Sequence, residues 1–197
     1  MFEEFGKIAR LSRNCVVTEK IDGTNAQVYI PEDGSPMLIG SRTRWITPSD
    51  DNFGFARWAM EHEEELRNGL GPGRHFGEWY GQKIQRTYGL DHKRFALFNT
   101  GRWVQGYVGG STRAPLGEKQ EYAPECCYVV PVLYEGTFDT ARIEATVTLL
   151  KATGSKAVPG YMNPEGVVVW HEAARQLFKK TVEKDEAPKS QGRIGNV

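Results

Sequence analysis

Residues 18–25 read TEKIDGTN and place a lysine directly before an Asp-Gly turn. Asp-Gly is a strong turn signal, and the residues on both sides are rich in β-branched side chains. The sequence therefore predicts two strands, CVVTEK (15–20) and NAQVYI (25–30), joined by a tight turn. An exposed turn would account for Asp-Gly, but it does not require a lysine at the strand end. Lys20 is therefore the first candidate for a functional residue.

The rest of the chain predicts an α+β domain with antiparallel sheets and at least two helices. Hydrophobic periodicity and capping residues predict one helix over 48–70, with Gly69 as its stop signal. A second helix is predicted over 139–154. Residues 106–125 are rich in glycine and proline and predict a loop. Strands are expected in PMLIGSR (36–42), RHFGEWYG (74–81), RFALFNT (94–100), CYVVPVLYEG (127–136), EGVVVW (165–170) and RQLFKKTV (175–182).

Composition excludes several classes of protein. The chain has 197 residues, 39% hydrophobic and 25% charged, which is enough apolar material for a buried core. No apolar run is long enough to span a membrane, and the N-terminus does not resemble a secretory signal. A formal net charge of zero argues against a histone-like binder of polyanions, although basic residues are concentrated between Arg74 and Arg102. Three cysteines without C-x-x-C spacing favour a reducing cytoplasm over structural zinc.

A reactive lysine needs support from other residues. At neutral pH only roughly one free lysine in a thousand is an unprotonated nucleophile. Attack on a phosphate also requires cations or a metal to neutralise the phosphate charge. The sequence supplies polar or aromatic residues at or inside the other apolar strands: Arg42, Glu78, Phe98, Glu165, Lys179 and Lys180.

These residues lie in six ordered segments that resemble a known superfamily. EKIDGTN, SRTR, FGEWYG, FALFN, EGVVV and LFKKT resemble motifs I, Ia, III, IIIa, IV and V of the covalent nucleotidyltransferases, which include ATP-dependent RNA and DNA ligases and mRNA capping enzymes. The greatest likeness is to RNA ligases of the phage RNA ligase 2 type, whose first motif reads E-K-x-x-G-T-N. The resemblance covers residues from about 5 to 182. It implies an ATP-grasp-like ligase adenylation domain with antiparallel sheets flanked by helices.

The resemblance also implies the chemistry of motifs I and Ia. Lys20 would attack the α-phosphorus of ATP to give a lysyl-AMP, and the AMP would pass to a 5′-phosphate end that a 3′-hydroxyl then joins. Glu19 would help to place the adenine through its backbone. Asp22 and Asn25 would lie near the ribose, the phosphates or the waters of a metal. Arg42 would hold the ribose or a phosphate.

Roles for the later motifs follow from the same resemblance. Glu78 would bind the ribose hydroxyls. Phe98 would stack on one face of the adenine, and Val168 would cover the other. Glu165 would organise Mg²⁺ or Mn²⁺, with Asp22 as a second candidate for metal contact. Magnesium keeps many of its waters, so two or three carboxylates would suffice.

Motif V departs from the family pattern. The family usually has K-x-K, with two lysines on one face of a strand, whereas Lys179 and Lys180 are adjacent. Successive strand residues point to opposite faces. Aligning the apolar pair Leu177-Phe178 puts Lys179 in the first lysine position and Thr181 in the second. Lys179 is therefore the preferred phosphate contact, and Lys180 is secondary.

Domain organisation follows from the position of motif V. The adenylyltransferase domain is expected over 1–182, followed by a polar tail over 183–197, which is too short for an OB domain or for the helical domain of larger RNA ligases. Without an appended domain, either the chain binds nucleic-acid ends weakly, or a dimer, a partner protein or the 103–125 loop helps to bind them. The resemblance suits a phage or bacterial RNA repair enzyme of the cytoplasm, without a membrane partner.

Three alternatives to an RNA ligase remain at this point. A minimal DNA ligase that seals nicks would use the same motifs. A transferase that adenylylates 5′-phosphates, or another acceptor, without joining ends would also use the same first-step residues. A non-catalytic nucleotide- or RNA-binding module with the ligase fold is disfavoured because Lys20, Glu78 and Glu165 are all present.

Overall fold

A computed structural model describes residues 2–106 and 115–183. The chain divides into two compact units, which are described separately. The first unit comprises Met1–Lys20 and Pro131–Val197, and the second comprises Ile21–Val130. The boundary therefore falls inside the TEKIDGTN segment, directly after Lys20. The single domain over 1–182 that the sequence predicts stays a prediction, and residues 184–197 of the predicted tail lie outside the described part of the chain.

The first unit is a four-stranded antiparallel sheet with one long helix. The strand order is β10-β1-β11-β12. The elements are β1 (Asn14–Lys20), β10 (Val132–Thr137), α3 (Thr140–Thr153), β11 (Gly166–His171) and β12 (Gln176–Thr181). The carboxylate of Asp139 caps α3 by accepting the backbone N–H of Ala141. Its core combines one face of the sheet with one face of α3, using Cys15, Val17, Ile143, Val147, Leu150, Val167 and Val169.

The second unit is a six-stranded sheet with two short helices. The strand order is β4-β3-β2-β5-β6-β9, and only the β6–β9 pair is parallel. The elements are β2 (Thr24–Ile30), β3 (Leu38–Ser41), β4 (Trp45–Ile46), α1 (Phe55–Glu61), α2 (Glu63–Leu70), β5 (Gly73–Gly81), β6 (Lys93–Leu97), β7 (Trp103–Val104), β8 (Glu121–Tyr122) and β9 (Cys127–Val129). Aromatic side chains of α1, β5 and β6 form much of its core: Phe55, Trp58, Trp79 and Phe95.

The α+β class with mostly antiparallel sheets is confirmed, but the single helix predicted over 48–70 is wrong. The helix is interrupted at His62, whose backbone has φ −108° and ψ 18°. Glutamates at 63–65 then occupy the first turn of α2, where negative charge stabilises a new helix N-terminus. Gly69 lies inside α2 rather than ending it, and the helix ends at Gly71, which has φ 69°.

Two further predictions of local structure need correction. The single strand predicted over 127–136 is two strands, β9 and β10, separated by Val130 and Pro131. Proline cannot donate a ladder hydrogen bond, which favours a break at this position. The loop predicted over 106–125 contains β8, which pairs in parallel with β7. Residues 107–114 of that loop lie outside the described residues.

Across residues 2–106 and 115–183, no helix has both the length and the apolar character needed to cross a membrane.

Candidate active site

Lys20 is the last residue of β1, a central strand of the first unit's sheet. Its Nζ donates a hydrogen bond to Oε2 of Glu165 at 2.6 Å, and the Lys20 and Glu165 side chains are 19% and 6% exposed. Lys20 pairs with Gly166 across the β1–β11 ladder, which explains why the carboxylate just before Gly166 reaches the lysine. A partly accessible amine is therefore held against a buried carboxylate.

Gly166 is required at this position for two reasons. Its φ is +156°, and a Cβ would lie 2.1 Å from the backbone oxygen of Lys180 on β12. A side chain here would push β12 away from β11 and shift the backbone that carries Glu165. Packing therefore explains why a glycine follows Glu165.

Glu19 has a buried side chain, which sequence reasoning did not foresee. Its carboxylate is 1% exposed and accepts hydrogen bonds from Ser155 Oγ at 2.5 Å and from the backbone N–H groups of Lys156 and Ala157 at 2.7 and 2.9 Å. Its own backbone N–H donates to the Pro131 oxygen at 2.9 Å. The side chain therefore ties β1, next to Lys20, to the loop that follows α3.

The ladder of the first unit separates the two lysines of motif V. Thr18, Val168 and Lys179 are aligned across β1, β11 and β12, as are Lys20, Gly166 and Thr181. Because neighbours in register share a face, Val168, Lys179 and Thr181 lie on the same face as Lys20.

Lys180 lies on the opposite face of β12, toward α3. Its Nζ lies 2.7 Å from Oε1 of Glu144 on α3. The period of two used in the sequence analysis thus holds through this strand. The geometry brings Lys179, rather than Lys180, to the face of Lys20.

In the second unit, Glu78 organises the residues that follow Lys20 in motif I. Its Oε1 accepts the backbone N–H of Gly23 at 3.1 Å, and its Oε2 accepts Nδ2 of Asn25 at 3.0 Å. Glu78 is 8% exposed. A Cβ on Gly23 would lie 2.4 Å from the backbone oxygen of Trp79, so only glycine allows this close approach to β5. Motifs I and III therefore meet through Gly23, Asn25 and Glu78.

Asp22 is held by two residues that sequence reasoning did not assign to the site. Arg86 Nε donates to Oδ2 of Asp22 at 3.1 Å, and the backbone N–H of Asp22 donates to the Tyr88 hydroxyl at 2.8 Å. Both partners lie in the segment between β5 and β6. Arg86 belongs to the basic stretch visible in the sequence, but nothing there indicates that it faces Asp22, and Tyr88 has no sequence signal.

Arg42 and Phe98 are exposed residues at strand ends of the second unit. Arg42 follows β3 directly, and Phe98 follows β6 and is 41% exposed. The backbone N–H of Phe98 donates to the Phe76 oxygen at 3.0 Å, which continues the β5–β6 ladder by one residue. Phe98 is thus a surface aromatic residue rather than a core residue.

The described carboxylates provide few ligands for a metal ion. Within the described ranges, no group of three or more His, Cys, Asp or Glu side chains converges to hold one. Glu165 supplies the hard oxygen ligands that Mg²⁺ and Mn²⁺ prefer, and Mg²⁺ commonly binds through one or two carboxylates together with waters and substrate phosphates. The residues fit a metal that is bound together with a phosphate substrate.

Comparison with known proteins places the chain in a family. A family model described as RNA ligase matches residues 13–183. The chain belongs to the RNA ligase family. No curated protein matches it.

Solved RNA ligase structures share the fold. A point variant of RNA ligase R4a from Naegleria gruberi, without ligand, has a TM-score of 0.56 at 18% identity, covering 86% of this chain and 50% of that one. A variant of the Naegleria gruberi RNA ligase with AMP and Mn has a TM-score of 0.55 at 20% identity, covering 87% and 50%. Another variant with ATP and Mn has a TM-score of 0.53 at 18% identity, covering 89% and 52%. The chain spans about half the length of these RNA ligases.

Proposed function

We propose that this protein is an ATP-dependent RNA ligase of the phage RNA ligase 2 type that works through a covalent lysyl-AMP. The observation that carries the proposal is the Lys20–Glu165 pair. The Lys20 Nζ is held 2.6 Å from a buried carboxylate, and the Lys20 side chain is still 19% exposed. A lysine that merely ends a solvated strand would not need a buried partner 145 positions away in the sequence.

The first step consumes ATP. Lys20 loses a proton to water, because only the neutral amine has a lone pair. The nitrogen forms a bond to the α-phosphorus and loses a second proton to water, the bond from that phosphorus to the bridging oxygen breaks, and pyrophosphate leaves. Such a step depends mostly on positioning and on neutralising phosphate charge. The hydrogen bond to Glu165 supplies positioning at Lys20.

The next two steps act on the RNA ends. A 5′-phosphate oxygen attacks the lysine-bound AMP, the P–N bond breaks, and the Lys20 nitrogen takes a proton from water to regain a neutral amine. A 3′-hydroxyl then attacks the activated 5′-phosphate, a phosphodiester bond forms, and AMP leaves. The hydroxyl proton passes to water. One ATP is thus converted to AMP and pyrophosphate for each bond made.

Within the first unit, Lys179 is the residue we assign to the α-phosphate. It lies on the face of Lys20, beside Val168, which we assign to the adenine. Glu19 positions Lys20 from the opposite face through its hydrogen bonds to the loop after α3, in addition to the backbone contact with adenine that the resemblance implies.

Within the second unit, the resemblance assigns five residues to the nucleotide: Asp22, Asn25, Arg42, Glu78 and Phe98. Glu78 takes the ribose hydroxyls, Phe98 stacks on the adenine, and Arg42 holds the ribose or a phosphate. Asn25 is held by Glu78. Support for these roles comes from the exposure of Phe98 and Arg42 and from the shared hydrogen bonds of Glu78.

Mg²⁺ or Mn²⁺ is the metal we propose, with Glu165 as its main protein ligand and Asp22 as the second candidate. Structures of the Naegleria gruberi RNA ligase that contain ATP or AMP also contain Mn, which supports the pairing of nucleotide with a divalent cation. When bound, the cation would neutralise phosphate charge and stabilise the departing pyrophosphate.

A joining assay tests the proposal. The protein is incubated with ATP, Mg²⁺ or Mn²⁺, and RNA that carries a 5′-phosphate and a 3′-hydroxyl, with matched DNA in parallel. We expect joined RNA from the wild type and none from Lys20→Ala. Capped 5′-AMP–RNA without joined product would indicate a transferase. Joining of nicked DNA alone would indicate a DNA ligase.

A further inference from the structure

One face of the six-stranded sheet in the second unit is unusually rich in exposed aromatic rings. The opposite face points into the core, as the burial of Ala26, Val28, His75 and Phe95 indicates. Because strand residues alternate, their neighbours point to the other face. We call five residues of that other face the aromatic platform: Tyr29, Trp45, Arg74, Phe76 and Phe98.

Strand register places the platform residues in rows. Trp45 pairs with Gly40, Gly40 with Gln27, and Gln27 with Phe76. Phe98 continues this row through its backbone hydrogen bond to Phe76. Tyr29 and Arg74 form a neighbouring row. Adjacent strands lie about 4.8 Å apart, so Phe76 is next to Phe98, and Trp45 lies three strand spacings from Phe76.

These rings keep a large part of their surface in water. Trp45 is 45% exposed, Phe76 is 51% exposed, and Phe98 is 41% exposed. Single exposed apolar residues are common on proteins, but aromatic residues aligned across one sheet mark an interaction surface. Between Trp45 and Phe76, the side chain of Gln27 lies over Gly40, where a Cβ would be only 2.8 Å from Gln27 Cγ.

Arg74 gives the platform a fixed positive charge. Its guanidinium lies 5.2 Å from the ring centroids of both Tyr29 and Trp45, and its Nη1 donates to Gln27 Oε1 at 2.6 Å. Farther along the same face, the guanidinium of Arg94 lies 4.6 Å from the ring centroid of Tyr128. Stacked guanidinium groups keep their charge available at the surface.

The sheet strands contribute one acid to this face, Glu78. Both of its oxygens accept hydrogen bonds, from Gly23 N–H and from Asn25 Nδ2. The open part of the face therefore presents cations and aromatic rings. Its charge is complementary to a polyanion, although the formal net charge of the whole chain is zero.

We propose that the aromatic platform binds unpaired nucleotides of an RNA strand, with bases stacked on Trp45 and Phe76 and a phosphate at Arg74. Exposed rings beside stacked arginines are the elements of surfaces that bind single strands. The bases of a duplex are stacked inside the helix, so they cannot stack on the exposed rings of the protein. The choice of RNA rests on the proposed ligase function. The row of platform residues ends at Phe98, which that proposal assigns to the adenine.

The test measures binding without ATP, so that it does not depend on adenylyl transfer. A short fluorescein-labelled RNA of unpaired adenylates, with a 5′-hydroxyl and a 3′-phosphate, is titrated with protein and followed by anisotropy. Phe76→Leu and Trp45→Leu each keep an apolar side chain but remove the aromatic ring. Phe76→Tyr restores the ring. Phe178→Leu is the matched control, because Phe178 is 50% exposed but lies on β12 of the first unit.

We expect Phe76→Leu and Trp45→Leu each to raise the Kd for the RNA by about fivefold or more. Fivefold corresponds to the lower limit of the free energy lost with one base-stacking contact. Phe76→Tyr and Phe178→Leu should bind like the wild type, and duplex RNA of the same length should bind more weakly. Equal binding by wild type and both Leu variants would overturn the platform, as would no binding by the wild type. In either case the face would belong to a protein partner or another part of a longer chain.

The platform and the ligase proposal can fail separately. AMP attachment to Lys20 is measured on the wild type in a parallel sample. Normal attachment with unaltered RNA binding by the Leu variants rejects the platform alone. Absence of attachment with ring-dependent RNA binding rejects the ligase chemistry and leaves an RNA-binding surface.

Discussion

At the scale of single residues, the carboxylates define the geometry of the motifs. Glu19, Glu78 and Glu165 are all buried, at 1%, 8% and 5% exposure. Buried carboxylates need hydrogen-bonding partners, and each of these has them. The sequence indicated that Glu78 and Glu165 matter, because they interrupt apolar strands. It did not reveal the partners of Glu19, because Ser155–Ala157 lie in a loop without a distinctive pattern.

Glu19→Ala should destabilise the protein strongly. Three donors, Ser155 Oγ and the backbone N–H groups of Lys156 and Ala157, would lose a charged acceptor in a buried position. We expect a loss of about 3 kcal/mol or more in the free energy of unfolding, measured by urea denaturation. Ser155→Ala removes one of the three bonds and should cost less. Equal stability of wild type and Glu19→Ala would show that this network contributes nothing.

Gly23→Ala should disturb the turn after Lys20. The new Cβ would lie 2.4 Å from the Trp79 oxygen, so the turn must move away from β5 and weaken the Gly23 N–H bond to Glu78. We expect a loss of about 1–3 kcal/mol in the free energy of unfolding. Gly101→Ala in the same unit is the control, because its Cβ would make an ordinary contact at 3.5 Å. Identical melting of the two variants would refute the packing argument.

At the scale of elements, strand alternation determines what motif V can do. Lys179 shares the face of Lys20, and Lys180 turns toward Glu144 on α3. Sequence reasoning reached the same assignment because a period of two is fixed by strand geometry. The sequence does not reveal the break in the helix at His62, since the hydrophobic pattern continues through it.

Lys179→Ala and Lys180→Ala should therefore have different effects. We expect Lys179→Ala to slow AMP attachment at least about tenfold, in line with loss of a cation that stabilises developing phosphate charge. Lys180→Ala should leave the rate unchanged and cost less than about 1 kcal/mol of stability, because its partner Glu144 is 61% exposed. The check is the rate of adduct formation under single-turnover conditions. The opposite ranking would reassign the phosphate contact.

At the scale of the whole molecule, the sequence predicted the class of fold. The capped helix α3 and the final strand pair β11–β12 follow from local patterns. The strands on either side of Asp22-Gly23 were also predicted, but β1 and β2 lie in different sheets and form no hairpin. The aromatic platform does not, since Trp45, Arg74 and Phe76 are brought together only by the register of β4, β3, β2 and β5. Register depends on long-range pairing, which one sequence does not display.

The stability of the folded protein should fall on acidification below the ordinary histidine pKa. Burial lowers the pKa of His75 below its usual 6.5, and the charge of Arg102 contributes in the same direction. Below this pH, His75 binds a proton more readily in the unfolded chain than in the folded protein. Its contribution to the free energy of unfolding is therefore complete above pH 6.5 and declines as the pH falls below that value. Urea unfolding at a series of pH values should show this slope. His75→Gln should reduce it, and an unchanged slope would exclude His75 as its source.

The central claim is that Lys20 carries the AMP. The most direct test is the intact mass of the protein after incubation with ATP and Mg²⁺ or Mn²⁺, for the wild type, Lys20→Arg and Lys180→Ala. Lys20→Arg keeps a cation beside Glu165 but removes the amine nucleophile. We expect one acid-labile adenylyl group on the wild type and on Lys180→Ala, and none on Lys20→Arg. An adduct that persists in Lys20→Arg, or no adduct on folded wild-type protein free of bound AMP, would contradict the account.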